Sequence, residues 1–170
     1  MDTLERTGKC VENQALWIKV LRCLARIYER FEKKKAKEFF ELAEKAERNF
    51  LKKFWDDGLE FLIDRIDKKP VRIKTVNPLF ALYLLDLPFS LKLLKKFESE
   101  FETPYGIASY SLKEKEFSEI DYHKGASWGY LNEIYTACLL KFNRIEKAFH
   151  FFDLLKKASE KFLSLIHISE

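Results

Sequence analysis

The chain has 170 residues, 47% of them hydrophobic and 15% aromatic, and its 31 basic and 27 acidic side chains leave a formal net charge of +4. This composition excludes a disordered chain and suffices for one domain with a real core. The two signs are mixed along the same helical stretches, which describes solvated helix faces and argues against a nucleic-acid or membrane partner. Cys10, Cys23 and Cys138 are far apart in apolar contexts. They form neither a disulfide framework nor a C-x-x-C metal pair, and they point to a reducing, cytoplasmic location. No apolar run approaches the ~20 residues that a membrane span needs.

Residues 11–31 carry apolar side chains close to the helical period, which predicts a mostly buried helix ended in solvent by Lys33, Lys34 and Lys35. Residues 36–55 repeat the pattern until Asp56, Asp57 and Gly58 supply a turn, so the two stretches predict an antiparallel helical pair. Residues 59–66 are short, and the β-branched Val71, Ile73, Thr75 and Val76 after Pro70 predict a small extended excursion. Pro78 starts a helix running to about residue 85, and the Pro88–Ser90 stretch opens another that ends near residue 101. Residues 103–125 read as loop, and helices over 127–141 and 145–162 follow. The fold class predicted is all-α, six helices in pairs, which suits an α/α toroid or an α-solenoid. No fixed-period repeat supports the solenoid.

Few side chains stand out as chemistry. Glu12 begins an apolar helix, where unpaired backbone N–H groups favour a carboxylate, so a cap-like role competes with a binding role. Trp17, at helical spacing from Leu21 and Leu24, is either an exposed stacking platform or core. Asn77 stands where the N-cap before Pro78 is expected. Tyr122, His123 and Gly125 form a loop directly before Trp128, an arrangement unusual as scaffolding alone. His150 sits in a phenylalanine-rich helix and has no such context.

Four strings resemble those of the amylo-α-1,6-glucosidase family, the C-terminal glucosidase domain of glycogen debranching enzymes. They are Met1-Asp2, the stretch from Gly8 through Val11-Glu12 to Ala15-Leu16-Trp17, then Thr103-Pro104-Tyr105-Gly106, and Tyr122-His123-Lys124-Gly125 ahead of Trp128. They correspond to the family's W-M-D, G-x-x-V-E-x-x-A-L-W, T-P-x-G and Y-H-x-G-x-x-W patterns. The resemblance implies an inverting glycoside hydrolase that removes α-1,6-linked glucose from glycogen or a similar branched α-glucan, with no metal or organic cofactor. Such hydrolysis needs one carboxylic acid and one carboxylate ~6.5–9.5 Å apart, with a water between. Asp2 takes the position of the acid. Glu12, Trp17, Asn77, Tyr122, His123 and Trp128 become substrate contacts. The base is either Glu133 or a glutamate beyond residue 162, because Ser127 occupies the position where some relatives have glutamate. The arginine that often follows T-P-x-G is replaced by Ala108, and Asn13-Gln14 departs from the family's usual residues.

The expected organisation is residues 1–162 as part, roughly half, of a twelve-helix (α/α)6 toroid. Met1 matches an internal position of W-M-D, and residues 163–170 resemble an adaptor-derived, non-native tail. Two other functions compete: a glucoamylase-, trehalase- or glucosidase-like enzyme of different linkage, and a helical domain that binds without cleaving.

Overall fold

The structure is a computed structural model that describes residues 6–166, with the side chains of 161–166 outside the description. The first strand, β1 (Lys9–Cys10), leads into α1 (Val11–Tyr28), which begins where Cys10 is still extended and has no side-chain cap. The first helical donor is satisfied instead by another segment, as the Val11 N–H donates to the Asp64 carbonyl at 3.0 Å. Val11, Ala15, Ile18, Leu21 and Ala25 form one buried stripe. The expectation of a mostly buried helix is only half right, because Leu16, Trp17, Val20 and Ile27 are exposed on the other face.

Helix α2 (Lys33–Phe54) buries Ala36, Ala43, Phe50 and Phe54. The predicted antiparallel pair forms: Tyr28 meets Phe39 with ring centroids 5.4 Å apart, and Arg22 pairs with Glu47, so partners diverge in opposite directions from the turn. Lys33–Lys35 differ from expectation. They do not close α1 but open α2, because the chain turns at 29–31 and Glu32 is already extended. Lysines in a first turn oppose the helix dipole, and the Lys35 ammonium is drawn to Glu32 at 3.0 Å.

Beyond α2, Asp56 Oδ1 accepts from the Gly58 and Leu59 N–H groups at 3.0 and 3.1 Å. This closes the antiparallel pair β2 (Trp55–Asp56) and β3 (Phe61–Leu62). The extended excursion is present as β4 (Arg65–Ile66) and β5 (Pro70–Val71), antiparallel to each other. Together with β1 they make a three-stranded sheet in the order β1-β4-β5, Lys9 opposite Ile66 and Cys10 opposite Arg65. Proline is tolerated in β5 because that strand is an edge. Helix α3 (Pro78–Leu84) starts at its proline as predicted and packs against α1. Helix α4 (Ser90–Glu100) follows.

The chain divides into two compact units, residues 1–93 and 94–170. In the second, β6 (Glu102–Thr103) and β7 (Gly106–Ile107) form a hairpin, a long loop follows, and α5 (Gly129–Lys141) packs against α6 (Ile145–Ile166). Its core holds Phe97, Phe101, Tyr135, Leu139 and Phe151. The Tyr135 hydroxyl donates to Glu102 Oε1 at 2.6 Å, and Lys147 lies 3.0 Å from the same oxygen. The fold is therefore predominantly helical, six helices among the described residues with two-residue strands before α1, between α2 and α3 and between α4 and α5, rather than strictly all-α. No helix among the described residues is long and apolar enough to cross a membrane.

Candidate functional site

The densest polar cluster of the first unit centres on Asp64, whose side chain is 1% exposed. Its backbone is fixed from both sides, since its N–H donates to the Val71 carbonyl at 3.1 Å and its carbonyl receives the first N–H of α1. Asp64 Oδ1 accepts from Arg6 Nη2 at 2.8 Å, Thr75 Oγ1 at 2.6 Å and Asn77 Nδ2 at 2.9 Å. Oδ2 accepts from Arg65 Nη1 at 2.9 Å. Burial alone would raise this carboxyl's pKa, yet the bonds from Thr75 and Asn77 and the Arg6 charge hold it below the usual range. Asp64 is thus an ionised, hydrogen-bonded anchor and is not available as a proton donor.

Arg6 carries the anchor outward. It donates through both Nη atoms to the Glu12 carboxylate, the second contact at 3.2 Å, while Nη2 also reaches Asp64. Burial disfavours the charged guanidinium, but its hydrogen bond to Glu12 and the charge of Asp64 more than compensate and raise its pKa. Two of the expected site residues, Glu12 and Asn77, are therefore brought together through Asp64 and Arg6. Asn77 makes no side-chain cap to α3, which leaves its amide to Asp64 and to Thr75 Oγ1 at 3.0 Å. Arg65 Nε is a buried N–H donor that no described residue accepts from.

Asp64, Arg6 and Thr75 are absent from the sequence-derived set. The signal for Asp64 was a lone carboxylate closing the buried run Phe61-Leu62-Ile63, which has to be paired if it is to be buried.

In the second unit the T-P-x-G string is a turn fastened to α5. Thr103 Oγ1 donates to the Gly106 carbonyl at 2.8 Å, and the Ile107 N–H donates to Asn132 Oδ1 at the same distance. Gly106 has φ +130°, and a Cβ there would come within 2.3 Å of Ser127 Oγ and 2.4 Å of Asn132 Nδ2, so both conformation and space demand glycine. Ser127 Oγ accepts from Asn132 Nδ2 at 3.0 Å, a scaffold role.

The Y-H-x-G loop is shaped from within. Asp121 Oδ1 accepts from the N–H groups of His123 at 2.8 Å and Lys124 at 3.0 Å, and these bonds hold its carboxyl below the usual range. Gly125 allows a close backbone crossing, because a Cβ there would sit 2.0 Å from the Ser118 carbonyl oxygen. The Tyr122, His123 and Trp128 rings lie side by side. The Tyr122 ring stands edge-on to both, with centroids 5.1 Å from His123 and 4.5 Å from Trp128. Tyr122 and His123 are exposed and Trp128 is half-buried.

Trp17 joins neither cluster. It is 55% exposed, which overturns the core reading, and lines a separate groove between α1 and α2. Glu133 is exposed and lines a groove of about 760 Å3 beside Tyr105, Asn132 and Phe152. Asp2, the expected acid, lies outside the described residues, as do residues 167–170 of the expected tail. Among the described residues no group of three or more His, Cys, Asp or Glu could hold a metal ion.

The fold is shared with solved structures. A GH63 mannosylglycerate hydrolase from Thermus thermophilus matches 84% of this chain and 35% of its own, with TM-score 0.66 and 16% identity. An uncharacterized conserved protein from the same organism matches 85% of this chain and 38% of its own, with TM-score 0.68 and 16% identity. A structure described as a sialidase matches 87% of this chain and 16% of its own, with TM-score 0.75 and 13% identity. The chain thus spans little more than a third of the Thermus chains and less of the third. No curated protein matches it. The family model for amylo-α-1,6-glucosidase matches residues 3–169, and the chain belongs to that family.

Proposed function

We propose that this chain is part, about half, of an α/α-toroid glycoside hydrolase that removes α-1,6-linked glucose from glycogen-like branched glucans with inversion. The observation that carries the reading is the Asp64-centred cluster. It ties Glu12 of the family-like G-x-x-V-E string to Asn77 through Arg6, in a charge-assisted set anchored on the buried Asp64 carboxylate. A set of charged and polar groups held in place this way suits sugar hydroxyls, because its orientation is fixed before the ligand arrives.

In this reading Asp2 is the general acid. Glu12 and Asn77 are sugar contacts in the first unit, and Tyr122, His123 and Trp128 are sugar contacts in the second. Asp64 is a positioning residue: it holds Arg6, and Arg6 aims Glu12. The base is Glu133 or a glutamate beyond residue 162, and no metal or cofactor enters the reaction. The protein works in the cytoplasm, on a carbohydrate partner rather than a nucleic acid or membrane.

The fold likeness to a mannosylglycerate hydrolase favours a second reading, a hydrolase of different linkage on the same scaffold. The test is turnover by a protein that carries this chain within a whole family domain, assayed on α-1,6- and α-1,4-linked glucosides and on mannosylglycerate. Asp2→Asn is expected to lower kcat by ~10²–10⁴-fold on the α-1,6 substrate while sugar binding persists. Unchanged turnover contradicts the acid role, and preference for another linkage favours the second reading.

A further inference from the structure

The groove beside Trp17 is separate from the Asp64 cluster and has a chemistry of its own. It lies along the α1–α2 seam, encloses about 210 Å3, and is lined by Trp17 with Gln14, Asn49, Lys9 and Lys53 above a floor that includes Phe50. This is smaller than the ~300–1,000 Å3 typical of drug-sized ligands, and suits a single sugar ring.

Each lining head group is uncommitted. The side chains of Gln14, Asn49, Lys9, Lys53 and Trp17 make no hydrogen bond or ion pair among the described residues. A half-exposed indole offers a flat apolar face for the C–H side of a pyranose. Two amides can each donate and accept, which matches neighbouring hydroxyls. Two ammonium groups without a carboxylate between them call for an anion.

We infer that this groove is a second carbohydrate site that takes a hexose bearing an anionic substituent, such as a phosphorylated glucose. The ring stacks on Trp17, its hydroxyls bond Gln14 and Asn49, and its anionic group lies towards Lys9 and Lys53. The site goes beyond the hydrolase reading: it lies apart from the Asp64 cluster, and of its lining residues only Trp17 is among those that the family resemblance offers as sugar contacts.

The test is calorimetric titration of the full chain with glucose 6-phosphate, glucose and inorganic phosphate, repeated for Trp17→Ala and for Lys9→Ser/Lys53→Ser. Trp17 is exposed, so its truncation leaves the fold in place, which a thermal melt verifies. Glucose 6-phosphate is expected to bind more tightly than either part alone. Trp17→Ala should weaken it by about tenfold, the scale of one stacked-ring contact. The double lysine variant should reduce its affinity to that of glucose. Absence of binding at millimolar ligand, equal affinity for phosphate alone, equal affinity for glucose, or no effect of Trp17→Ala would each overturn the proposal. Binding that survives Asp2→Asn keeps this site independent of the hydrolase reading, since that change acts on turnover only.

Discussion

Around Asp64, side chains from four segments converge by charge: Arg6 before β1, Glu12 on α1, Arg65 on β4, and the Thr75–Asn77 stretch before α3. Between Thr103 and Trp128 the backbone itself does the shaping, with Gly106 and Gly125 admitting crossings that no side chain could share and Asp121 accepting two local N–H groups. The first cluster is anchored on a buried carboxylate and holds its members against one another. The second presents Tyr122 and His123 to solvent on a stiffened loop. One protein has therefore prepared polar groups in two ways. The two are expected to differ in tolerance: loss of the central carboxylate should cost more stability than loss of the side chains that the loop displays.

The contrast is broken most severely at Asp64. Asp64→Ala leaves Arg6 and Arg65 without their buried counter-charge and should cost about 3–5 kcal/mol in denaturant unfolding. Next in size is Gly125→Ala, whose added methyl meets the Ser118 backbone rather than a movable side chain. It should cost about 1–3 kcal/mol and raise hydrogen exchange at the loop amides of His123 and Lys124. Acid provides a milder version of the Asp64 test. The folded-state pKa of Asp64 lies below its ordinary 3.8, so its contribution is fully present above that value and is lost as pH falls through the depressed folded pKa. Melts between about pH 5 and pH 2 should show an acid-side loss of stability that is smaller in Asp64→Asn. Tyr122→Ala should matter least, within about 0.5 kcal/mol, because the ring is exposed and the loop holds its shape by backbone bonds. A large cost there would mean that the aromatic cluster, and not the glycines, holds the loop.

The helices were legible from sequence where apolar spacing and breakers agree, as at Pro78 and along the α1–α2 pair. The same reasoning misled at Lys33–Lys35, where lysines read as a solvent-facing end occupy a first turn against the usual dipole preference. Glu12 and Asn77 were visible as individual candidates, and the motif that begins at Tyr122 signalled a shaped loop. Asp64 was not visible, since a single aspartate beside Phe61-Leu62-Ile63 declares its importance only once the three-stranded sheet brings Arg6 and Thr75 to it. Trp17 was ambiguous for a related reason. Helix α1 has apolar side chains on two faces, and periodicity alone does not say which of them is buried.

The most direct test of the proposed hydrolysis is the anomeric form of the first glucose released from an α-1,6-linked substrate, followed by proton NMR before mutarotation. The account predicts β-glucose at the outset, with the signal lost in Asp2→Asn. Initial α-glucose, or release undiminished by that substitution, would contradict it.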